Sequence, residues 1–579
     1  MEKKLLIIPL IGFIIFVHAL GNQFVIDDSS QIIENTVVHS IANIPSLFLG
    51  SSFGEDNALV GVYYKPVMTT LYTFIYSLFG TNPFPFHFVQ LLLHISNALL
   101  IYLLLKRFFS NILSYLLSLI FLIHPINTQA VVYISSLQDP LFFFFGMIAL
   151  LQITKDKLSI KNYLLFSITI FLSLLSKETG FLFILVSLIF RFVISVKERG
   201  KLFFLTLFLS SAYLLIHYLV VGFKFSAENS FPMFGVSLLE RMISIPKMIL
   251  YYLTTFFFPL VIPGDQMWVV KNLDWTNFYA PLMIDGLFFL ALLFFYIKVW
   301  RDKSSFIKPL TFFTIWFILG LGFHLQIFPL DSTVADRWFY FPMVGLLGMI
   351  GVAINVFETS KLWVNFRKKQ LILIFQIIVI ILILILSYRT FLRTLDWKDG
   401  LTLAQKDIQV NIDNFALENL LGGELIKAQR FDEALKHINK AIQLYPQEWQ
   451  AWNNKGVIYR HLGAVKNDLN YIQQAKENFI IANNKTSSYS PFENLVETVF
   501  YFDSPKEARQ LILGYLKIAP ISSNLWIVLS LSEYQLGSSE QALETAKQGL
   551  LKNPNDQNLR VLYQVLLSHQ TIEIKRPQY

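Results

Sequence analysis

The chain has 579 residues, of which 54% are hydrophobic and only 15% charged, and this composition excludes an ordinary soluble protein. The formal net charge is +8, but most basic residues lie in short loops between apolar runs, which favours membrane orientation over a nucleic-acid partner. Cysteine is absent from the sequence, so disulfides, thiol catalysis and cysteine-ligated metals are excluded.

Apolar runs of roughly membrane-spanning length recur before residue 390. There are eleven of them: 5–20, 86–105, 111–126, 137–153, 161–176, 178–196, 202–221, 279–299, 308–328, 340–358 and 370–388. Several are shorter than the usual ~20 residues, so we expect their flanks inside the protein or at the interface. The first run resembles a signal peptide, but it lacks a small-residue cleavage site, and we predict a retained helix.

Basic residues mark one side of the membrane. They occur in every second connection: Lys3 and Lys4, Lys106 and Arg107, Lys155 to Lys161, Lys197 to Lys201, Lys298 to Lys308, and Lys361 to Lys369. This positive-inside pattern places these connections in the cytoplasm. To keep the alternation, we predict residues 66–80 as a helix in the outer interface and residues 239–262 as interfacial or re-entrant. The first external loop then covers residues 21–85, and the C-terminus lies on the same external side.

After Arg389 the sequence becomes polar and repetitive. Four units over residues 413–556 share small and apolar positions: Ala434, Ile438, Ala441 and Pro446; Ala475, Phe479 and Ala482; Ala508, Ile512, Tyr515 and Pro520; Ala542, Ala546, Gly549 and Pro554. Gly422 and Gly456 hold the small position of a preceding helix. The pattern predicts tetratricopeptide repeats, which form binding surfaces, with an insertion near 464–470 and a capping helix near 557–570.

Asp27 and Asp28 directly follow the first apolar run, where a membrane helix ends in water. One interpretation is structural, with Asp28 as the cap of a helix that begins near Ser30. The other is catalytic: one carboxylate removes the proton of an attacking hydroxyl while the other orients it or holds a metal. The dipeptide alone favours capping, so the choice depends on the rest of the outer face.

Three cations lie at the outer boundary, where positive charge is otherwise depleted: Lys65, Lys177 and Arg337. Charges this close to hydrocarbon are costly unless they are paired or functional. We therefore predict a site for an anionic lipid phosphate, with snorkelling or a local ion pair such as Lys177 with Glu178 as the alternative. The residues predicted to support this site are Tyr64, His124, Asp139, Glu178 and Asp336.

Other chemistries find little support in the sequence. His87, His94, His217 and His324 lie in apolar runs, and we predict that they pack or form hydrogen bonds. A Gly-rich phosphate loop, a Ser-His-Asp arrangement and a nucleotide signature are all lacking, which argues against a nucleotide-sugar donor and against an ATPase. A divalent metal ion is left open as a cofactor.

A series of short motifs resembles one known family. In order they are FVIDD, YYKP, FGTNPFPFH, LLLHISNALL, HPINTQAV, LSLLSKETG and ADRWFYFP, followed by the repeats. They are similar to the transmembrane and tetratricopeptide-repeat O-mannosyltransferases and their bacterial relatives, within the GT-C glycosyltransferases. The resemblance implies a polyprenyl-phosphate-linked sugar donor, inverting transfer on the outer face, and a catalytic acid pair matched here by Asp27 and Asp28.

Two details leave the acceptor and one residue role open. YYKP and LQDP also resemble lipid A aminoarabinose transferases of the same superfamily, so the acceptor is protein or glycan. The family usually carries an arginine before the Asp of the second motif, whereas Leu137 and Gln138 precede Asp139 here. The role of that arginine is therefore either absent from this chain or carried by a residue at another position.

We therefore predict an all-α protein with a GT-C type membrane helix bundle of about eleven crossings over residues 1–390. A linker helix over 391–412 and a tetratricopeptide-repeat α-solenoid over 413–570 follow. The predicted activity is sugar transfer from a polyprenyl-phosphate donor to a protein or glycan hydroxyl that the repeats help to hold. The rivals are a non-catalytic scaffold and a transporter, and a transporter should carry ionisable residues near the midplane of several helices. We expect a bacterial inner membrane with the repeats in the periplasm, or the endoplasmic reticulum membrane in a eukaryote.

Overall fold

The computed structural model describes residues 6–52, 63–195, 197–222, 233, 235–262, 264, 266–359, 369–411, 413–486, 488–518, 521–553 and 556–574. Among the features named above, Lys3, Lys4, Lys361, Arg367, Lys368, Pro520 and Pro554 lie outside these residues. The chain divides into two compact units. Unit 1 comprises Met1–Ile32, Val38–Ser52 and Gly61–Leu403, and unit 2 comprises Ile33–Val37, Phe53–Val60 and Ala404–Tyr579.

Unit 1 is built from helices. Its α-helices are Ile7–Phe16, Ile44–Leu47, Pro66–Phe79, Phe84–Leu105, Asn111–Ile123, Thr128–Val132, Gln138–Ile153, Ile160–Ser176, Phe181–Ile189, Arg199–Val221, Leu238–Phe257, Ala280–Arg301, Ile307–Gly322, Pro342–Glu358 and Lys369–Asp396. Short 3₁₀ and π turns join several of them. Within the part of the chain that the structure describes, β structure is limited to one isolated bridge between Gln266 and Val334.

Each of the eleven predicted apolar runs coincides with a helix, but their lengths differ. Over the described ranges, five helices are long and apolar enough to cross a membrane: Phe84–Leu105, Ile134–Ile153, Arg199–Val221, Trp275–Arg301 and Gln376–Asp396. Asn111–Ile123 and Pro125–Val132, bent by 49°, form a sixth if they are one span. The remaining runs give shorter helices. A helical membrane unit is therefore supported, whereas eleven crossings remains a prediction.

Glycine allows two of the shorter apolar helices to pack closely. A Cβ at Gly348 would lie 2.2 Å from the ring of Phe313, and a Cβ at Gly345 would lie 2.5 Å from the main-chain nitrogen of Phe317. Small residues of this kind let membrane helices approach each other. The contact fixes the start of the helix Pro342–Glu358 and therefore the turn that precedes it.

The two segments predicted not to cross the membrane are also helical. Pro66–Phe79 has 14 residues, and Leu238–Phe257 has 20 residues with Pro246 inside it. The second helix begins with a capping box, in which the side chains of Ser237 and Glu240 each bond the other's main-chain nitrogen. Their depth in a membrane stays a prediction.

The connection between the units differs from a single linker helix over 391–412. The last apolar helix continues to Asp396, and a separate helix, Gly400–Val410, follows it. The carboxylate of Asp399 accepts a hydrogen bond from the main-chain nitrogen of Thr402 at 2.7 Å and so caps the new helix.

Among its described residues from 413 onward, unit 2 has four helix pairs and a final helix. The first helices are Phe415–Lys427, Trp449–Lys466, Ser490–Phe502 and Ser523–Gln535; the second helices are Phe431–Leu444, Leu469–Asn483, Pro505–Leu516 and Ser539–Lys552; Gln557–Leu567 follows them. The small positions are buried as predicted, and a Cβ at Gly422 would lie 2.4 Å from Ile438. The first helix of the second pair has 18 residues where the others have 13, so the predicted insertion lengthens that helix.

Candidate active site

Asp28 is buried, and three donors hold its carboxylate. Oδ2 accepts a hydrogen bond from Val25 N at 3.0 Å, and Oδ1 accepts from Ser135 N at 2.7 Å and from Ser135 Oγ at 2.6 Å. Burial raises the pKa of Asp28 to about 7, although these hydrogen bonds lower it. The side chain ties the loop to the segment around Ser135 and does not cap the following turn, so the capping interpretation is wrong.

Asp27 has a different environment, because its side chain is exposed. Its Oδ2 accepts a hydrogen bond from the hydroxyl of Tyr133 at 2.8 Å. Burial raises the pKa of Tyr133 well above its usual range, and the charge of Asp27 raises it further, so this hydroxyl stays protonated and donates. An exposed carboxylate that a buried hydroxyl orients is suited to take a proton from an incoming hydroxyl group.

The backbone immediately before the two carboxylates is strained. Ile26 has a φ of +50°, a left-handed conformation that β-branched residues rarely adopt. Such strain costs on the order of 1–3 kcal/mol and persists only where surrounding contacts hold the chain. The hydrogen bonds of Asp28 and Asp27 provide such contacts. The strained turn allows two adjacent carboxylates to reach different partners, one buried and one at the surface.

Several elements fix the position of Tyr133. Gln90 Nε2 donates a hydrogen bond to the Tyr133 carbonyl at 2.7 Å. The hydroxyl of Tyr72 donates to the next carbonyl, that of Ile134, at 2.7 Å. The ring of Trp397 packs 5.5 Å from the Tyr133 ring. Because these contacts come from two helices and from the turn that follows a third, Tyr133 is held rigidly behind Asp27.

Lys177 is ion-paired, but its partner is Asp139 and not Glu178, so the local pair considered above is wrong. The Lys177 ammonium lies 2.6 Å from Asp139 Oδ1, and the two side chains are only 10% and 3% exposed. Asp139 is in the first turn of Gln138–Ile153, and Lys177 directly follows Ile160–Ser176. The pair therefore joins the ends of two packed helices.

Lys65 belongs to the same group of charges. It is buried, and its ammonium lies 4.5 Å from the centroid of the Tyr63 ring. Burial lowers the pKa of Lys65, while the nearby charge of Glu178 raises it and that of Lys177 lowers it. Glu178 thus supports Lys65, and the two lysines form one positive cluster.

Tyr63 connects this cluster with the acid pair. Its hydroxyl donates a hydrogen bond to Asp331 Oδ2 at 2.6 Å. Burial raises the pKa of Tyr63 well above its usual range, and the charges of Asp331, Glu178 and Asp27 raise it further. The charges of Glu178 and Asp27 therefore both act on this one side chain.

Arg337 reaches the site from the 3₁₀ turn Asp336–Phe339. Its charge acts on Tyr133, the hydroxyl partner of the exposed carboxylate. It also acts on buried His324, as does the charge of Lys177. The charges of Lys65 and Lys177 thus act on each other, and those of Lys177 and Arg337 act on a common neighbour.

The other predicted supporting residues make structural contacts. The hydroxyl of Tyr251 donates to buried Asp336, the hydroxyl of Tyr64 donates to the Phe48 carbonyl at 3.1 Å, and His124 Nε2 lies 3.0 Å from the Phe256 carbonyl. Two of these bonds join the helix Leu238–Phe257 to neighbouring turns, and the third joins Tyr64 to the end of the helix Ile44–Leu47. We interpret Tyr64, His124 and Asp336 as residues that support the structure of the site and do not take part in its chemistry.

Asp28 is not free to hold a metal ion, because protein donors bind both of its oxygens. Among the described residues, no group of three His, Asp or Glu side chains is placed to hold a metal ion. His94, His217 and His324 each bond a main-chain carbonyl, at 3.0, 3.1 and 3.0 Å, which confirms their predicted hydrogen-bonding role. We derive no catalytic step through a metal.

A largely apolar cavity of about 370 Å³ lies among the helices of unit 1, with Arg389 at its wall. The guanidinium of Arg389 donates to the carbonyls of Pro259 and Leu260, at 3.2 and 2.8 Å. Eight residues further along the chain, Trp397 packs against Tyr133. The cavity has the lining expected for an apolar ligand chain.

The sequence analysis missed Tyr133 and Ser135. Both lie in the motif HPINTQAVVYISSLQDP, from which only the ionisable residues were selected. The available signal was the density of Asn, Gln, Ser, Thr and Tyr between two apolar helices. Since buried polar groups require hydrogen-bond partners, such a stretch indicates contacts inside the protein.

These features define a class of protein: a unit with helices long and apolar enough to cross a membrane, an exposed carboxylate oriented by a tyrosine and a buried lysine–aspartate pair, followed by helical repeats. The chain is similar to proteins named protein O-mannosyl-transferase. It is 25% identical over 460 residues to one from Caenorhabditis elegans, a match that covers 77% of this chain and 63% of the relative. It is 24% identical over 511 residues to protein O-mannosyl-transferase TMTC3 of Homo sapiens, covering 80% of this chain and 53% of the relative.

The mouse TMTC3 protein is 22% identical over 503 residues, covering 77% of this chain and 51% of the relative. The chain thus spans between half and two thirds of the length of these relatives. Their names confirm the resemblance found in the short motifs.

No protein-family model matches the chain. A solved tetratricopeptide-repeat protein of Thermus thermophilus superposes with a TM-score of 0.26 and 17% identity, covering 29% of this chain and 89% of that chain. The assignment of repeats rests on the helix pairs of this chain and not on that likeness.

The titration of Asp28 leads to a testable pH dependence. A carboxyl group with a usual pKa of 3.8 and a folded pKa of about 7 binds a proton that the unfolded chain has already released. The proton bound by Asp28 therefore stabilises the folded state fully below about pH 4, and this contribution is lost as the pH rises through about 7. We therefore expect the thermal unfolding midpoint of the solubilised protein to decrease as the pH is raised from about 5 to about 8.

The matched control for this prediction is Asp28→Asn, which has no titrating group at this position. Its unfolding midpoint should change less over the same pH range. Identical pH dependences in the two proteins would contradict the assignment.

Proposed function

We propose that the protein is a membrane glycosyltransferase that moves a sugar from a polyprenyl-phosphate donor to a Ser or Thr hydroxyl of a polypeptide. The observation that carries the proposal is the exposed carboxylate of Asp27, oriented by the hydroxyl of Tyr133, on which the charge of Arg337 also acts. Similarity to protein O-mannosyl-transferases supports mannose as the sugar and protein as the acceptor.

In the proposed step, the acceptor oxygen attacks the anomeric carbon of the sugar. A new carbon–oxygen bond forms as the bond from this carbon to the phosphate oxygen breaks, and the bonding electrons leave with the polyprenyl phosphate. Asp27 takes the proton of the acceptor hydroxyl. Attack from the side opposite the leaving group inverts the configuration of the anomeric carbon.

The cations act on the leaving group. Negative charge grows on the phosphate as its bond to the sugar breaks, so Lys65, Lys177 and Arg337 stabilise the transition state more than the ground state. Glu178 supports Lys65 and Asp139 holds Lys177. The arrangement keeps positive charge in place before the donor arrives.

Asp27 and Asp28 have different roles in this proposal. Asp28 uses both oxygens to bind Val25 and Ser135, so it is a positioning residue that places its neighbour. Asp27 is the general base. The apolar cavity beside Arg389 supports a site for part of the lipid chain.

The sidedness of the reaction follows from the basic connections. With eleven crossings, Asp27, Asp28 and the repeats lie on the external side, which is the periplasm for a bacterial inner membrane or the lumen for an endoplasmic reticulum membrane. Chemical labelling of single cysteines introduced into the cysteine-free chain tests this topology.

The direct test is transfer of label from radioactive polyprenyl-phosphate sugars, offered one at a time to membranes that contain the protein. Label from polyprenyl-phosphate mannose should move to polypeptide and resist lipid extraction. Membranes without the protein are the control. Failure with every donor, together with capture of external proteins by the intact chain, would favour the non-catalytic scaffold.

The hydroxyl of Tyr133 provides a second test. We expect Tyr133→Phe to lower the transfer rate by about tenfold, because Asp27 loses its orienting hydrogen bond while the ring still packs against Trp397. The matched control is Tyr163→Phe, which removes a hydroxyl bonded to Glu198. Unchanged transfer in folded Tyr133→Phe protein would show that Asp27 does not need this partner.

A further inference from the structure

Three asparagines occupy the same position in consecutive first helices of unit 2. Asn419, Asn453 and Asn494 are each the fifth residue of their helix. Asn454 Nδ2 donates to Asn419 Oδ1 at 3.0 Å, and Asn494 Nδ2 donates to Asn453 Oδ1 at 3.0 Å. We call these four residues the asparagine row, because their amides follow one another across three repeats.

The row lies on a side of the first helices that their second helices do not occupy. The second helices pack on the glycines, since a Cβ at Gly456 would lie 2.5 Å from the ring of Phe479. The asparagine row instead forms hydrogen bonds from one first helix to the next. Asn454 and Asn494 are half-buried and keep contact with solvent. Asn454 and Asn494 therefore reach a surface formed by neighbouring first helices, whereas their partners Asn419 and Asn453 are buried, each 9% exposed.

The chemistry of this surface matches the main chain of a polypeptide. A side-chain amide carries two N–H donors and an oxygen with two lone pairs, which is more than the one or two bonds that each makes along the row. A peptide group offers the complementary C=O and N–H. The amides carry no charge, so they do not select a phosphate or a carboxylate.

The spacing of the row suits an extended chain. Packed helices lie about 8–10 Å apart, and an extended polypeptide advances about 3.3 Å per residue. Successive amides would therefore meet about every third peptide group of the bound chain. The row would make no contacts that depend on the side chains between these groups. The row stops at the fourth repeat, where Ile527 is the fifth residue of the first helix. The two intervals between three first helices thus span about 16–20 Å, or about five to six extended residues.

We propose that the asparagine row binds an extended, unfolded polypeptide segment through its main chain, with little regard to its sequence. Binding itself is independent of catalysis. That the bound segment carries the acceptor hydroxyl rests on the proposed function. A transferase with such a surface would accept unfolded stretches of many proteins, because peptide groups are common to all of them.

The test is fluorescence anisotropy with the full-length protein in detergent and a labelled nine-residue peptide that lacks Ser and Thr and so cannot be an acceptor. The triple variant Asn419→Ala, Asn453→Ala, Asn494→Ala should bind it about tenfold more weakly or worse. The matched control carries three exposed asparagines changed in the same way, Asn439→Ala, Asn470→Ala and Asn558→Ala, and should bind like the wild type.

A second arm needs no variant. The same peptide, N-methylated at every third residue, loses main-chain donors and should bind the wild type at least about tenfold more weakly. Equal binding of the methylated and plain peptides, or of the triple variant and the wild type, would overturn the proposal. Binding only to folded proteins would also overturn it.

These outcomes are separable from those of the catalytic proposal. Asp27→Asn protein should bind the peptide like the wild type, since binding needs no transfer. Row-dependent binding without any sugar transfer would uphold the peptide site and reject its role in catalysis. Sugar transfer together with row-independent binding would reject the peptide site alone.

Discussion

Asp27→Asn should lower sugar transfer by a factor on the order of 10²–10⁴, the usual contribution of a general base. The amide cannot take the proton of the acceptor hydroxyl, yet it still accepts the hydrogen bond from Tyr133. The side chain is exposed, so little stability depends on its charge. The expected result is a folded, membrane-inserted protein that binds donor and fails in transfer.

The control for this variant is Asp156→Asn, which neutralises an exposed aspartate in a connection predicted to be cytoplasmic. It should transfer sugar at the wild-type rate. The assay is initial rate of label transfer at saturating donor, with thermal unfolding measured on the same preparations. Wild-type transfer by folded Asp27→Asn protein would refute the assignment of the base.

Lys177→Met should destabilise unit 1 by about 3–5 kcal/mol, because it leaves the carboxylate of Asp139 buried without its partner. The double variant Lys177→Met, Asp139→Leu removes both charges and restores an apolar contact of similar volume. It should recover most of the lost stability. Thermal unfolding of the three proteins in one detergent measures the difference.

The same double variant separates structure from catalysis. If Lys177 stabilises the leaving phosphate, the double variant regains stability while transfer stays low. A folded double variant with wild-type transfer would mean that the pair only joins two helices. Lys427→Met, which removes a lysine paired with Glu424 on the exposed surface of unit 2, is the control and should change neither property.

Much of the architecture was predictable from local patterns. Apolar runs of this length predict helices, because a chain in lipid must form its main-chain hydrogen bonds within the protein. The repeats are visible because each copy needs small residues where two helices meet, and Gly422 and Ala434 are such residues. The acid pair and the cations could also be selected, since charge beside hydrocarbon is rare without a reason.

The sequence did not predict where the helices end or how many cross. The last apolar run continues to Asp396, eight residues beyond its predicted end at 388, because helix termination depends on capping contacts as well as on hydropathy. A helix predicted to lie in the interface, such as Pro66–Phe79, has the composition of a short span. Depth in the membrane depends on neighbouring helices that a local pattern does not contain.

By itself, the sequence determined the helical class, the repeats and the chemical groups available at the outer boundary, since these follow from composition and spacing along the chain. Only the tertiary structure decided which groups meet. It paired Lys177 with Asp139 across 38 residues and placed Tyr133 beside Asp27 across 106. It also buried one of two adjacent aspartates and exposed the other. Hydrogen bonds and ion pairs act over about 3 Å in space, so partners distant in sequence become known only when the helices that carry them are packed.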